Sequence, residues 1–182
     1  MKCLTFLILL VLLNACSYLD PNANVEYLNL APADAKVKSL KNIQAFERFY
    51  DQLDESSLEK NLTAAYAESL YFNDTVTTIH ERKNLLNYMR HTQQQLKGVQ
   101  FEVLSVQQQG RDAFVRWNMH TQFRVLGQDN NVQSIGISHL RFNADNKIIL
   151  HQDYWDSMQG FYQHIPVIGG ILQWIKSKLN DY

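Results

Sequence analysis

The chain has 182 residues, 46% of them hydrophobic and 12% aromatic, which is enough to bury a core and excludes global disorder. Lys and Arg number 17 against 18 Asp and Glu, for a formal net charge of -1, so the basic footprint of a nucleic-acid binder is missing.

Lys2 and the apolar run Leu4 to Leu13, broken only by Thr5, read as a secretory signal, since the run is too short to span a bilayer. Leu13-Asn14-Ala15-Cys16 then resembles the lipobox of bacterial lipoproteins, with Asn14 departing from the small residues usual at its position. That resemblance implies cleavage before Cys16, a diacylglyceryl group on its thiol and an acylated amine, hence membrane attachment through a lipid anchor at Cys16. Ser17, where an Asp would signal inner-membrane retention, resembles an outer-membrane address facing the periplasm. Cys3 lies in the signal, so the mature chain has one cysteine and no internal disulfide. An ordinary secretory signal with an incidental Cys16 is the alternative.

Residues 16–41 hold Pro21 and Pro32 and no sustained period, which predicts a flexible tether. From Asn42 to Leu53, Ile43, Phe46, Phe49/Tyr50 and Leu53 recur at three and four and predict a helix. Ser56 or Ser57 is the expected cap of a second helix through Leu58, Leu62 and Ala65 towards Tyr66. A short extended piece, Glu68 to Thr75, ends in a turn. A third helix, Glu81 to Leu96, sets Leu85, Met89 and Leu96 inward and is expected to stop at Gly98.

Strands follow. In Val99–Gln108, Phe101 and Val103 take one face, Leu104 and Val106 the other, and Gly110 marks a turn. Ala113 to Leu126 keeps period two, with Val115, Trp117 and Met119 on one side and Arg116, Asn118 and His120 on the other, as in a sheet with one dry face. Gly127 to Asn131 is read as the next turn. Gly136 to Asp156 is predicted to be a hairpin turning at Asn143-Ala144-Asp145-Asn146, because Asn and Asp tolerate left-handed backbone and bond nearby amides. Its second strand puts His151, Asp153 and Trp155 on one face and Gln152 and Tyr154 on the other. In the extension, residues 158–182, Pro166 can open a helix with a stripe of Ile168, Ile171/Leu172, Ile175 and Leu179. A packing helix or lid is favoured there over a membrane-lying helix.

Helices followed by a curled antiparallel sheet make an α+β class. The order, with Phe46-Glu47-Arg48-Phe49-Tyr50, Tyr71-Phe72-Asn73-Asp74-Thr75-Val76 and Ile137-Ser138-His139-Leu140-Arg141-Phe142-Asn143, resembles the nuclear transport factor 2-like superfamily with its SnoaL-like cyclases and ketosteroid isomerases. The resemblance covers residues 42–157 and implies a cone-shaped domain whose interior is the ligand site. It also implies a base at Asp74. The two oxyanion donors of a ketosteroid isomerase fall on Phe49, which cannot donate, and Ser138, which donates weakly; Tyr50 is expected to point elsewhere. Losing such donors costs orders of magnitude in rate.

The candidate catalytic residues are therefore Asp74, or His151 with Asp153 as its orienting carboxylate. Tyr66, Tyr71, Trp117, Ser138 and Trp155 are candidate pocket residues. His120 is read as solvated and His139 as facing away from Ser138. No metal site or cofactor is expected, since the chain has no HExxH and its six His are scattered. The favoured reading is a lipid-anchored envelope protein that binds a small apolar ligand or a partner in its cone. An isomerase, cyclase or dehydratase is the alternative. Homodimerisation through the sheet is a further expectation.

Overall fold

In chain order the elements are α1 (Ala23–Leu30), α2 (Lys41–Asp51), α3 (Leu58–Ala65), β1 (Tyr66–Asn73), β2 (Thr78–Glu81), α4 (Arg82–Gln95), β3 (Leu96–Gln109), β4 (Asp112–Val125), β5 (Gln128–Phe142), β6 (Ile148–Trp155) and α5 (Ser157–Gly160). The computed structural model describes residues 23–31, 33, 41–125 and 127–160, and positions 162, 170, 171, 174, 175 and 178. The signal segment, Cys16 and most of the stripe expected in the C-terminal extension lie outside the described residues.

The six strands form one curved sheet in the order β2-β1-β6-β5-β4-β3. Neighbours are antiparallel except β1 and β6, which run parallel, so the sheet is mixed rather than wholly antiparallel. The helices α2, α3 and α4 fill its concave side. Ile43, Phe46 and Phe49 of α2, Leu58 and Leu62 of α3, and Leu85 and Met89 of α4 are buried against Phe72, Phe101, Val115, Trp117, Leu140 and Ile148 of the strands. Each fully buried side chain of this size contributes about 1.5–3 kcal/mol.

Polar contacts fix the helices to the wall. Asp54, rather than Ser56 or Ser57, receives the free amides ahead of α3: its Oδ1 accepts from the Ser56 and Ser57 N–H, both at 3.1 Å. At the other end of α3, Lys147 Nζ donates to the Thr63 and Ala64 carbonyls at 2.8 and 2.6 Å. A cation there satisfies terminal carbonyls and the helix dipole together. Glu47 of α2 accepts the Val103 N–H of β3 at 3.2 Å.

That contact adjoins a β-bulge between Val103 and Ser105. The extra residue reverses the alternation, so Val103 pairs with Trp117 and Val106 with Val115, both on the concave side. The expectation that Val103 and Val106 face opposite ways fails for that reason. Gly98 likewise sits inside β3 and is no helix stop; the strand begins at Leu96. β5 begins at Gln128, earlier than the residues suggest, because the β4 backbone pairs it in register down to Val125↔Gln128. Here ladder hydrogen bonds override the low strand propensity of Asn130 and Asn131.

The hairpin turn forms where expected. Asn143 Oδ1 accepts the Asp145 and Lys147 amides at 3.0 and 2.9 Å, and Asn146 takes the left-handed conformation at φ 58. The stretch expected to be a flexible tether departs from that expectation within α1. This helix lies on the convex side of the sheet: Asn24 Nδ2 donates to the Gln133 carbonyl at 2.9 Å, and the Arg116 guanidinium donates to the Ala31 carbonyl at 2.6 Å and lies 5.6 Å from the Tyr27 ring centre.

Candidate functional site

Strand register gathers a line of polar groups inside the apolar concave face. Ser138 pairs with Asp153, Leu140 with His151, Trp117 with Gly136 and Phe72 with His151. Side chains of paired residues share a face. The indole Nε1–H of Trp117 thus donates to Ser138 Oγ at 2.9 Å, and the Ser138 hydroxyl donates to Asp153 Oδ1 at 2.5 Å. His151 Nε2 lies 2.6 Å from the same oxygen, and the Tyr66 hydroxyl lies 2.7 Å from His151 Nδ1. Ser138, His151 and Tyr66 are fully buried, and the Asp153 side chain is 10% exposed. A carboxylate only accepts, so His151 presents Nε2–H to it, and in that neutral tautomer Nδ1 accepts from Tyr66.

A glycine makes room for the line. A Cβ on Gly136 would lie 2.3 Å from Trp117 Cζ2, so the indole can cross its partner strand only because that position has no side chain.

Two consequences follow for chemistry. Both His151 nitrogens are engaged by protein atoms. Asp153 Oδ1 holds two partners, whereas nothing among the described residues hydrogen-bonds Oδ2. The carboxylate is held in place by Ser138 and His151.

Asp74 is engaged in a turn, although its charge, like that of Asp153, reaches Tyr50 and Tyr88. Its Oδ1 accepts the Val76 and Thr77 amides at 3.0 and 2.9 Å, and its Oδ2 accepts the Tyr88 hydroxyl at 2.5 Å. This is an Asx turn closing the β1–β2 connection. Trp155 Nε1–H donates to the Asp74 carbonyl at 2.8 Å and joins the two regions. Tyr71 is a correction: its hydroxyl donates to Gln152 Oε1 at 3.2 Å, and Gln152 stands on the face opposite His151 and Asp153. Plain alternation along β1 turns Tyr66, Leu70 and Phe72 inward and leaves Tyr71, five residues after Tyr66, on the other face. His139 also faces outward, stacked on Phe114 with ring centres 4.6 Å apart and 2.9 Å from Asp112 Oδ1. His120, half-buried on that side, meets Asn118 Nδ2 at 3.5 Å.

Tyr50 was read as pointing away and instead points in. It lies one helical turn after Phe46 and shares its stripe, with ring centres 5.1 Å from Phe46, 4.9 Å from Phe101 and 6.1 Å from His151. Its hydroxyl oxygen is buried and forms no hydrogen bond of full geometry among the described residues; the polar group that it approaches is the Tyr66 hydroxyl, which itself donates to His151. Burial, then the neighbouring Tyr66 and Asp153, hold this phenol well above its ordinary pKa. Burial raises Tyr66 in the same way. Tyr88 is raised by burial and then by its bond to Asp74. The stripe of residues 43, 46, 49/50 and 53 already held the signal that Tyr50 faces the core.

The position of the helices, the curvature of the sheet and the inward polar line agree with one family, and residues 46–151 match the family model of the SnoaL-like domain. The chain belongs to the SnoaL-like family. Solved structures similar to this SnoaL-like domain include a Shewanella denitrificans protein described as a SnoaL-like polyketide cyclase, at 14% identity and TM-score 0.56, with 65% of this chain and 92% of that one covered. An M. tuberculosis LEH-like epoxide hydrolase is similar at 18% identity and TM-score 0.53, over 76% and 94% of the two chains. A nuclear transport factor 2-like protein of unknown function from Exiguobacterium is similar at 15% identity and TM-score 0.54, over 63% and 98%. At these identities the likeness is one of fold. No curated protein matches the sequence. Within this SnoaL-like domain the inward polar groups form the line Tyr66–His151–Asp153–Ser138–Trp117, with the Tyr50 hydroxyl beside Tyr66.

Proposed function

We propose that the chain is a lipid-anchored envelope protein, held through Cys16 in the outer membrane and facing the periplasm, whose SnoaL-like interior binds a small apolar molecule bearing a hydrogen-bond acceptor. The lipobox-like Leu13-Asn14-Ala15-Cys16 supports the anchor. The buried Tyr50 hydroxyl, which forms no hydrogen bond of full geometry, carries the ligand reading. A buried hydroxyl whose one polar neighbour, Tyr66, is poorly placed to accept from it is unfavourable by up to about 1–3 kcal/mol, and a ligand carbonyl or ether oxygen beside the Phe46, Phe101 and His151 rings would relieve it. The test is tryptophan fluorescence of the purified protein titrated with a steroid ketone, a quinone and a fatty acid. At least one is expected to change the emission, and Tyr50→Phe is expected to weaken it by about 2- to 10-fold, the worth of one hydrogen bond. Equal affinity of wild type and Tyr50→Phe would sink the reading. Mass spectrometry of the mature N-terminus tests the anchor separately.

One observation favours a second reading, an isomerase, cyclase or dehydratase: the open Asp153 Oδ2. It could take a proton from a carbon beside a carbonyl while Tyr50 donates to the oxygen that gains charge. Asp153→Asn would then abolish turnover, and Asp74→Asn, a change in a turn, would leave it measurable. The reverse pattern would return the base to Asp74.

A further inference from the structure

Both ends of the domain leave it at one corner. Asn24, in the first turn of α1, is bonded to Gln133 of β5. Gly160, the last residue of α5, is wedged against the same strand, where a Cβ would lie 2.7 Å from Ser134 Oγ. Asn24, Gln133, Ser134, Ile135, Asp156 and Gly160 line one cavity of about 30 Å³, room for a water. The segment leading back to Cys16 and the segment leading on to the C-terminus therefore depart from opposite walls of one small cavity. Six residues separate Cys16 from Ala23, and the chain between the two reaches at most about 25 Å. A lipid on Cys16 would hold this corner within that distance of the bilayer.

Beyond the corner, the helical positions Ile171, Trp174 and Ile175 are 55%, 64% and 42% exposed. Their spacing puts two isoleucines and a tryptophan on one side of a helix. Tryptophan favours the membrane–water boundary, and the exposed Lys178, one turn on, can extend its stem to headgroup phosphates. We propose that this side of the C-terminal segment lies on the bilayer that carries the Cys16 lipid, as a second membrane contact that restricts how the domain turns on its anchor. The orientation rests on the anchoring reading; the apolar contact goes beyond it.

The test uses the full-length protein reconstituted in phosphatidylethanolamine–phosphatidylglycerol vesicles whose acyl chains are brominated near the headgroup. Bromine quenches a tryptophan that it touches. Emission is expected to fall relative to ordinary vesicles, and the fall is expected to vanish in Trp174→Phe and in the double variant Ile171→Asp, Ile175→Asp at an unchanged melting temperature. Equal emission from the two vesicle types would overturn the proposal. So would quenching that persists in Trp174→Phe, since Trp117 or Trp155 would then be its source. Mass spectrometry of Cys16 on the same sample separates the two failures. Acylated Cys16 without quenching refutes the tail contact alone. Unmodified Cys16 refutes the anchor, and quenching on added vesicles then supports the tail contact by itself.

Discussion

The sheet holds two His–Asp pairs of the same chemistry in opposite surroundings. On the concave side, His151 and Asp153 are 2.6 Å apart with side chains 0% and 10% exposed; on the convex side, His139 and Asp112 are 2.9 Å apart at 23% and 30%. The inner pair is held by Tyr66 at His151 Nδ1 and by Ser138 at the same Asp153 oxygen, and the outer pair shares its carboxylate with Arg141 at 2.8 Å. Water can replace any outer partner at little loss, because exposed pairs are screened. Nothing replaces an inner one. Pairing alone therefore says little about what a His–Asp couple does; burial decides whether its geometry is held rigidly enough to serve a site.

Breaking the inner carboxylate should have the largest effect. Asp153→Ala leaves Ser138 and His151 without their acceptor and should lower unfolding stability by about 3 kcal/mol or more in a denaturant titration. Asp112→Ala should shift the same midpoint far less, and equal shifts would erase the distinction between the faces. Alkali tests the inner face from another direction. The raised pKa values of Tyr50 and Tyr66 mean that the folded chain keeps protons which the unfolded chain releases from about pH 10 upwards. That stability is intact below about pH 10 and is lost as pH rises towards the folded values. The share of the phenolate absorbance that Tyr50 and Tyr66 contribute, read as the difference from Tyr50→Phe and Tyr66→Phe, should therefore appear together with unfolding, not before it.

Gly136→Ala forces a methyl against the Trp117 indole and should cost about 1–3 kcal/mol by overpacking, read as a lower melting temperature and altered tryptophan emission. Tyr50→Phe should act in the opposite sense, raising stability by up to about 1 kcal/mol because a buried hydroxyl without a well-formed hydrogen bond disappears. A loss instead would show that the hydroxyl has a partner in solution. The smallest effect belongs to the outer carboxylate. Its bonds to Arg141 and then His139 hold Asp112 below its ordinary pKa. Its contribution is thus present above about pH 4 and fades as pH falls through the lowered value. Asp112→Asn should slightly flatten the acid limb of a stability–pH profile.

Helix stripes were legible because their period is local: Ile43, Phe46, Phe49 and Leu85, Met89 announce their faces without reference to the rest of the chain. So was the alternation that turns His151 and Asp153 inward. The bulge at Val103/Ser105 was not, because one inserted residue reverses a pattern that composition leaves unchanged. The surroundings of Asp74 were not legible either. Its place in the chain says nothing of the two amides and the Tyr88 hydroxyl that its carboxylate accepts from in the folded turn, and its role as a base is left to the Asp74→Asn comparison.

The sequence by itself determined the class of each long element, the Asn143–Asn146 turn, the family and which residues of β6 share a face, since all of these follow from periods and side chains within a few positions. Only the tertiary structure decided that Tyr66 meets His151 across 85 residues of chain, that Ser138 and Trp117 complete the line to Asp153, that the buried Tyr50 hydroxyl comes up beside Tyr66, and that α1 lies against the convex sheet. These depend on strand register and on how far the helices sink into the curve. Register is a property of paired chains, and no single stretch of residues carries it.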